Sequence, residues 1–335
     1  MDIVDPVYGE FSIRESVIQE LILSKPIQRL IKINQAGALR YVDLVKFRNT
    51  RFEHSLGVYY LLRKFGATQE EQIAGLLHDV AHTAFSHVVD YIFEGGSQTQ
   101  EYHEDWARQI VMQSEIPAIL DSHGIDFELV IDEKRFSMLE RPIPDICADR
   151  LDYFFRDAVV YGISDSIRGD VGLFMSALQV NKGEFVFSNI EIAKRAALTF
   201  IECGKEYWSN PLQTASFQLL ADVMKTALSR GEIETKDFFL TDDELYEKLK
   251  KSFSPTVLKN LKMLQGLKAE DAAGGSGMIG YAKVRYIDPK VMQNGKIKRL
   301  SEYDRSYRHA MEAYAALVKR GFNIRIRSNE TPESL

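Results

Sequence analysis

Residues 77–87 read Leu77-His78-Asp79-Val80-Ala81-His82-Thr83-Ala84-Phe85-Ser86-His87, three histidines and an aspartate within eleven positions. The apolar spacing predicts a helix over Glu70–Thr83, started by a capping box of Thr68 and Glu71. On such a helix His78 and His82, four apart, share a face, and Asp79 lies about 100° round from His78. The chain holds seven histidines, and five of them (His54, His78, His82, His87 and His103) fall between 54 and 103. Surface histidines scatter, whereas metal and acid–base sites gather them. His123 and His309 stand apart and read as ordinary surface residues.

Working outward, His54 lies in Arg51-Phe52-Glu53-His54-Ser55-Leu56-Gly57, on a preceding helix predicted over Glu53–Arg63. The short Gly66–Gln69 connection folds the two helices antiparallel and brings His54 opposite His78. Asp149, in Ala148-Asp149-Arg150-Leu151-Asp152-Tyr153, is the best candidate for a further ligand. His54, His78, Asp79 and Asp149 make a mixed nitrogen and oxygen set that suits Mn, Fe, Ni, Co or Zn, with Mg also admitted.

The rest of the chain frames this cluster. Asp2–Ile13 alternates around Pro6 and Gly9 and reads as an extended segment with a turn. Helical periodicity resumes at Ser16 and recurs over Phe85–Phe93, Tyr102–Gln113, Pro144–Val159 and, with interruptions, Ile190–Met224. Leu178–Phe187 reads as a hairpin turning at Asn181-Lys182-Gly183. Beyond residue 230 come a helical stretch over Asp237–Phe253, a linker-like Ala272–Gly277 and a strand-like Met278–Asp288. A helix over Tyr303–Lys319 and a final strand over Phe322–Arg327 follow. The expectation is a mostly α protein: a helical body over 1–230 and a smaller mixed α+β region over 231–335.

Composition narrows the classes. With 45% hydrophobic and 27% charged residues, the 335-residue chain is that of an ordinary globular protein. A net charge of −6 argues against a broadly basic nucleic-acid surface. No apolar run approaches the ~18 residues that span a bilayer, so no membrane role is expected. Cys147 and Cys203 form neither a zinc pair nor a disulfide framework, which points to a reducing, cytoplasmic setting.

Four separated segments together carry a resemblance: RFEHSLG (51–57), LHDVAHTAFSH (77–87), His103-Glu104 and DRLDYFFRD (149–157). They resemble the HD-domain phosphohydrolases, and within them the branch of deoxynucleotide triphosphohydrolases that includes the sterile-alpha-motif/HD-domain enzyme. Residues 3–9 and 26–30 are similar to the same branch, with fainter likeness over 283–289 and 299–302. The resemblance implies that His54, His78, Asp79 and Asp149 hold the metal. It implies that His82, His87 and His103 lie along the phosphates, with His87 as general acid at the leaving oxygen and Asp90 orienting it. Arg51 and Arg150 would contact phosphate, and Gln35, Tyr153 and Asp157 would line the sugar pocket. It further implies a homo-oligomer. Tyr8 departs from the histidine usual in the N-terminal motif. Ser24 and Ile31 replace the Asp and Arg that read an activating nucleotide in the animal enzyme, which argues against activation of that kind.

The residue types suit this chemistry in their own right. Phosphate-ester hydrolysis needs a Lewis acid, a proton for the leaving oxygen and cations for the phosphates. The leading expectation is therefore hydrolysis of deoxynucleoside triphosphates to deoxynucleoside and triphosphate. The alternatives are an HD phosphatase or phosphodiesterase acting on another nucleotide, or a module that binds nucleotide or single-stranded nucleic acid. For the last, Lys248–Lys251 and Lys296–Arg299 would supply a local basic patch.

Overall fold

Asp5 starts the architecture. Its Oδ1 accepts from the amides of Val7 (2.8 Å) and Tyr8 (3.0 Å), turning the chain over Pro6. The turn joins β1 (Asp2–Asp5) to β2 (Gly9–Ser12) in an antiparallel hairpin, where the alternation predicted an extended segment with a turn. The computed structural model describes residues 1–43, 46–93, 96–99 and 104–324. Helices of eight residues or more are numbered below.

α1 (Ser16–Leu23) buries Val17, Ile18, Leu21 and Ile22. α2 (Arg51–Lys64) begins at a closed capping box: Thr50 Oγ1 accepts from the Glu53 amide at 3.2 Å, and Glu53 Oε2 accepts from the Thr50 amide at 2.8 Å. α3 (Gln69–Leu77) has only half of the box expected at Thr68. Thr68 accepts from the Glu71 amide, but the Glu71 carboxylate turns away to accept from the amides of Met138 and Leu139.

The helix expected over Glu70–Thr83 stops at Leu77, so His78 and His82 do not share a helical face. Tertiary partners replace helical bonds beyond it. Arg29 takes the His82 carbonyl, Phe238 O accepts from the Ala84 amide, and Asp242 accepts from the Phe85 amide. The 3₁₀ segment Ser86–Ile92 then follows.

α4 (Glu104–Met112) fulfils the described part of the helix expected over Tyr102–Gln113, since Tyr102 and His103 lie outside the described residues. α5 (Ala148–Tyr161) begins four residues later than expected, because Cys147 holds an extended backbone (φ −144°, ψ 170°) as its N-cap. α6 (Ile167–Ala177) leads into the expected hairpin, β3 (Leu178–Asn181) and β4 (Glu184–Phe187). Its turn uses positive φ at Lys182 (51°) and Gly183 (77°). α7 (Ile190–Cys203) runs through a π turn (Gly204–Trp208) towards α8 (Pro211–Ser229).

After residue 230 a 3₁₀ turn (Thr235–Phe239) precedes α9 (Asp242–Lys250), so the helix expected over Asp237–Phe253 is shorter and broken at its start. α10 (Pro255–Gln265) follows. The linker-like run is largely strand: β5 spans Ala273–Gly280, while 281–289 lies outside any strand. β6 (Lys290–Gln293), β7 (Lys296–Arg299), α11 (Arg305–Arg320) and β8 (Phe322–Ile324) complete the described chain. β5 pairs antiparallel with β8 through Ala273 and Met278–Gly280, with a shift of register between them. Gly280 packs so closely on Thr214 and Ile324 that a Cβ would collide with both. Residues 325–327 of the expected last strand lie outside the described residues.

The fold is thus mostly α with a smaller strand-containing C-terminal region. β6 pairs parallel with β4, making a four-stranded sheet in the order β3-β4-β6-β7. α2 packs between α3 and α5. Leu62, Ala74, Phe154 and Phe200 share one apolar core with Tyr307 and Tyr314 of α11. No helix among the described residues is long and apolar enough to cross a membrane.

Candidate metal centre and active site

The packing of α2 between α3 and α5 gathers four side chains from three separate stretches of sequence. His54 on α2 directs Nε2 to within 3.2 Å of His78 Nε2, just past the end of α3, and 3.0 Å of Asp149 Oδ1 on α5. Asp79 closes the group: Oδ1 is 3.4 Å from His78 Nε2, and Oδ2 is 3.7 Å from His54 Nε2. All four residues expected as ligands therefore meet. The helix end at Leu77 is what lets His78 and Asp79 turn towards the same point.

The far nitrogens fix how the rings sit. His54 Nδ1 lies 2.7 Å from Asp152 Oδ2, and His78 Nδ1 lies 2.8 Å from the Gly75 carbonyl. With a proton on each Nδ1, both Nε2 lone pairs converge on the carboxylates of Asp79 and Asp149. Acceptors so close need positive charge between them. Burial alone would lower the His78 pKa, yet Asp79 and Asp149 push it up to about 10, while Asp79 and Asp149 are held well below the usual carboxylate range. A divalent cation would take the place of protons drawn in this way, so the donor set fits one.

Asp152 was not singled out from sequence, although it lies in the same helical segment as Asp149. It is fully buried, accepts from Arg156 Nε (2.9 Å) and Nη2 (3.0 Å), and accepts from the Tyr8 hydroxyl at 2.7 Å. Arg156 also pairs with Asp5 at 3.0 Å. The N-terminal hairpin thus reaches the residue that orients His54. The spacing Asp149–Asp152, one helical turn, was the available signal.

A cavity of about 1040 Å³ opens beside the cluster, at the upper end of small-molecule sites. His82 and His87 line it near the metal group. His82 Nε2 lies 3.1 Å from Asp79 Oδ1, and burial together with Arg51 brings its pKa down to about 4, leaving a neutral ring at pH 7. That ring meets His87 edge-to-face at 4.9 Å, and His87 Nδ1 is 3.2 Å from Asp90 Oδ2. His103 lies outside the described residues.

The two arginines expected on phosphate line the cavity, but both are buried and already bonded. Arg51 pairs with Asp79 Oδ2 at 2.9 Å and donates to Ser86 Oγ at 3.0 Å. Arg150 donates to the carbonyls of Arg141 (3.0 Å) and Asp145 (2.6 Å). Lys134, Arg141, Lys283 and Arg285 join the same lining, and only the last two had been noticed in sequence.

Gln35, Tyr153 and Asp157 also line the cavity. Gln35 Oε1 is buried with no hydrogen-bond partner among the described residues. Asp157 accepts from Asn49 Nδ2 (2.9 Å) and Trp208 Nε1 (2.8 Å), and its burial pushes its pKa up. Trp208, set by the π turn, meets Tyr153 edge-to-face at 5.1 Å. Neither Asn49 nor Trp208 carries a motif that sequence reading could isolate.

A family model described as HD domain matches residues 51–157. The chain is 38% identical over 328 residues to the uncharacterized protein YdhJ of Bacillus subtilis, covering 97% of this chain and 99% of that one. It is 32% identical over 300 residues to the metal-dependent phosphohydrolase cns2 of Cordyceps militaris, covering 87% and 85%. The deoxynucleoside triphosphate triphosphohydrolase SAMHD1 homolog of Dictyostelium discoideum is 26% identical over 305 residues, 79% of this chain and 57% of that protein. A crystal structure of a hypothetical protein from Aquifex aeolicus shares the fold, with a TM-score of 0.65 at 19% identity over 94% of this chain and 99% of that one.

Proposed function

Because the chain belongs to the HD-domain metal-dependent phosphohydrolases, we propose that it hydrolyses deoxynucleoside triphosphates to deoxynucleoside and triphosphate. One observation carries this reading: the same cavity is lined by the candidate metal cluster, by His82 and His87, and by Gln35, Tyr153 and Asp157, so one nucleotide could meet groups suited to its phosphates and groups suited to its sugar. The likeness to the SAMHD1 homolog supports the choice of substrate.

His54, His78, Asp79 and Asp149 would hold the metal. When bound, it supplies Lewis-acid polarisation of a phosphoryl group and a lowered pKa for water. The remaining work falls to the chain. Asp90 holds His87 Nδ1, and His87 would deliver a proton to the 5′ oxygen as water adds to the α-phosphorus and the bond from that oxygen to phosphorus breaks. Neutral His82 packs against that ring and fixes its plane. Gln35 Oε1, an acceptor without a partner among the described residues, takes a sugar hydroxyl. Tyr153, braced by Trp208, packs against the deoxyribose, and Asp157 marks the floor of that pocket.

A second reading, hydrolysis of a nucleotide with fewer phosphates, is favoured by the internal bonding of Arg51 and Arg150, which leaves two cations fewer for a triphosphate. Incubation with Mn or Mg and each deoxynucleoside triphosphate, analysed by chromatography, separates the two. Deoxynucleoside with triphosphate is the expected product. With deoxynucleoside mono- and diphosphates run in parallel, turnover of these with the triphosphates left intact moves the assignment to the second reading, and no product from any of these nucleotides overturns both.

A further inference from the structure

The turn carrying His82 and His87 is held from outside the helical body. Phe85, fully buried, stands at φ 61° and ψ 25°, and Ser86 follows at φ 52°. Consecutive left-handed residues with side chains persist only where their surroundings impose them. Here the surroundings are residues 238–242. The Ala84 amide donates to Phe238 O at 2.7 Å, and the Phe85 amide donates to Asp242 Oδ1 at 2.7 Å. Arg29 bridges the two segments: Nη2 donates to His82 O (2.9 Å) and Leu240 O (3.0 Å), and Nε donates to Phe239 O (2.7 Å).

Asp242 reaches a second segment as well. Its Oδ2 accepts from the Asn34 amide at 2.9 Å, and Asn34 O accepts from Ser86 Oγ at 2.7 Å. One fully buried carboxylate at the start of α9 therefore ties the His82–His87 turn to the segment that bears Gln35.

We infer that Asp242, with Arg29, is a positioning residue for catalysis: it sets the His82–His87 turn so that His87 meets the leaving oxygen. The inference rests on the role proposed above for His87. It gives the region after residue 230 a task within the active site, in place of a merely adjoining one. Displacements near 1 Å at a catalytic group can cost about a hundredfold in rate, so a few hydrogen bonds suffice to matter.

The test compares wild type with Asp242→Ala, Asp242→Asn and Arg29→Lys. The readouts are kcat and KM on deoxynucleoside triphosphate, metal content per chain, and amide hydrogen exchange over residues 82–88. In Asp242→Ala, kcat should fall about tenfold or more while KM stays within about twofold and metal content is unchanged. Exchange over 82–88 should quicken. Asp242→Asn, which keeps one acceptor for the Phe85 amide, should recover a large part of the rate. Unchanged kcat per bound metal, or unchanged exchange over the turn, overturns the inference. If Asp242→Ala does not fold, Arg29→Lys carries the same expectation, since it keeps the charge and loses the fork that joins His82 O to Leu240 O. Absence of turnover by wild type defeats the proposed function alone, because the exchange measurement still reads the clamp.

Discussion

Tyr8 and Asp152, 144 positions apart, meet through a hydrogen bond of 2.7 Å from the phenol to Oδ1, while Oδ2 of the same carboxylate holds His54. Burial and Asp152 itself raise the Tyr8 pKa well above its ordinary value, so the hydroxyl remains a donor. Tyr8→Phe should keep the ring stacked on Tyr60 at 4.6 Å and remove only this donor. Metal affinity should fall by about tenfold or more, as for other residues behind metal-bound histidines. Metal titration of the purified variant checks this, and wild-type affinity would remove Tyr8 from the support of His54.

Gly57, three residues after His54, lies against the same group. A Cβ there would fall inside the Asp152 carboxylate and the Arg156 guanidinium. Gly57→Ala should therefore cost about 1–3 kcal/mol, the usual range for overpacking, and weaken metal binding together with stability. Thermal melting alongside elemental analysis reads both; a variant as stable as wild type would mean that the network yields more easily than its burial suggests.

Asp149→Ala and His78→Ala should each lose metal and activity together, since each removes one of the converging acceptors. Elemental analysis after dialysis decides it. Full metal content in either variant would refute that residue's role as a ligand.

His87→Ala should retain metal and lose turnover by the ~10²–10⁴ typical of general acid–base catalysis. It meets Asp90 and His82 and is not one of the grouped candidate ligands, so occupancy and rate should separate. A wild-type kcat would exclude His87 from proton transfer.

Asp242 gives a pH dependence of known sign. Burial pushes its pKa up to about 6, and the bonds from Phe85 and Asn34 only partly offset this. The unfolded value is near 3.9, so the folded chain holds this proton more tightly and stability falls as pH rises from about 4 through about 6. Asp242→Asn removes that slope. Wild-type stability relative to the variant should then decline across this window by on the order of 1–3 kcal/mol and level off above it. Urea unfolding at several pH values measures the difference, and a constant offset would contradict the placement of the titration.

The candidate ligand cluster was legible because histidines are few and their spacing carries chemistry. His54, His78, Asp79 and Asp149 meet as their positions on three segments suggested. What escaped depends on partners distant in sequence. The Glu71 half of the capping box failed because Met138 and Leu139 offer it better-placed amides. The helix past Leu77 ended because Arg29, Phe238 and Asp242 bind its carbonyl and amides from elsewhere. Ala273–Gly280 is a strand because β8 supplies its ladder, and glycine-rich composition shows no such partner. Local pattern reports propensity, and these three cases turn on contacts that no window of sequence contains.

The converging ligands also make occupancy a term in folding itself. His54 and His78 are 24 positions apart, and His54 and Asp149 are 95 apart, so one ion would cross-link three helical segments. An unfolded chain offers no such arrangement, and free metal at about a hundred times its dissociation constant would add roughly 2.7 kcal/mol to the folded state. Resistance to heat and proteolysis would then follow the free-ion concentration, and a chelator would act on this chain as a mild denaturant as well as an inhibitor.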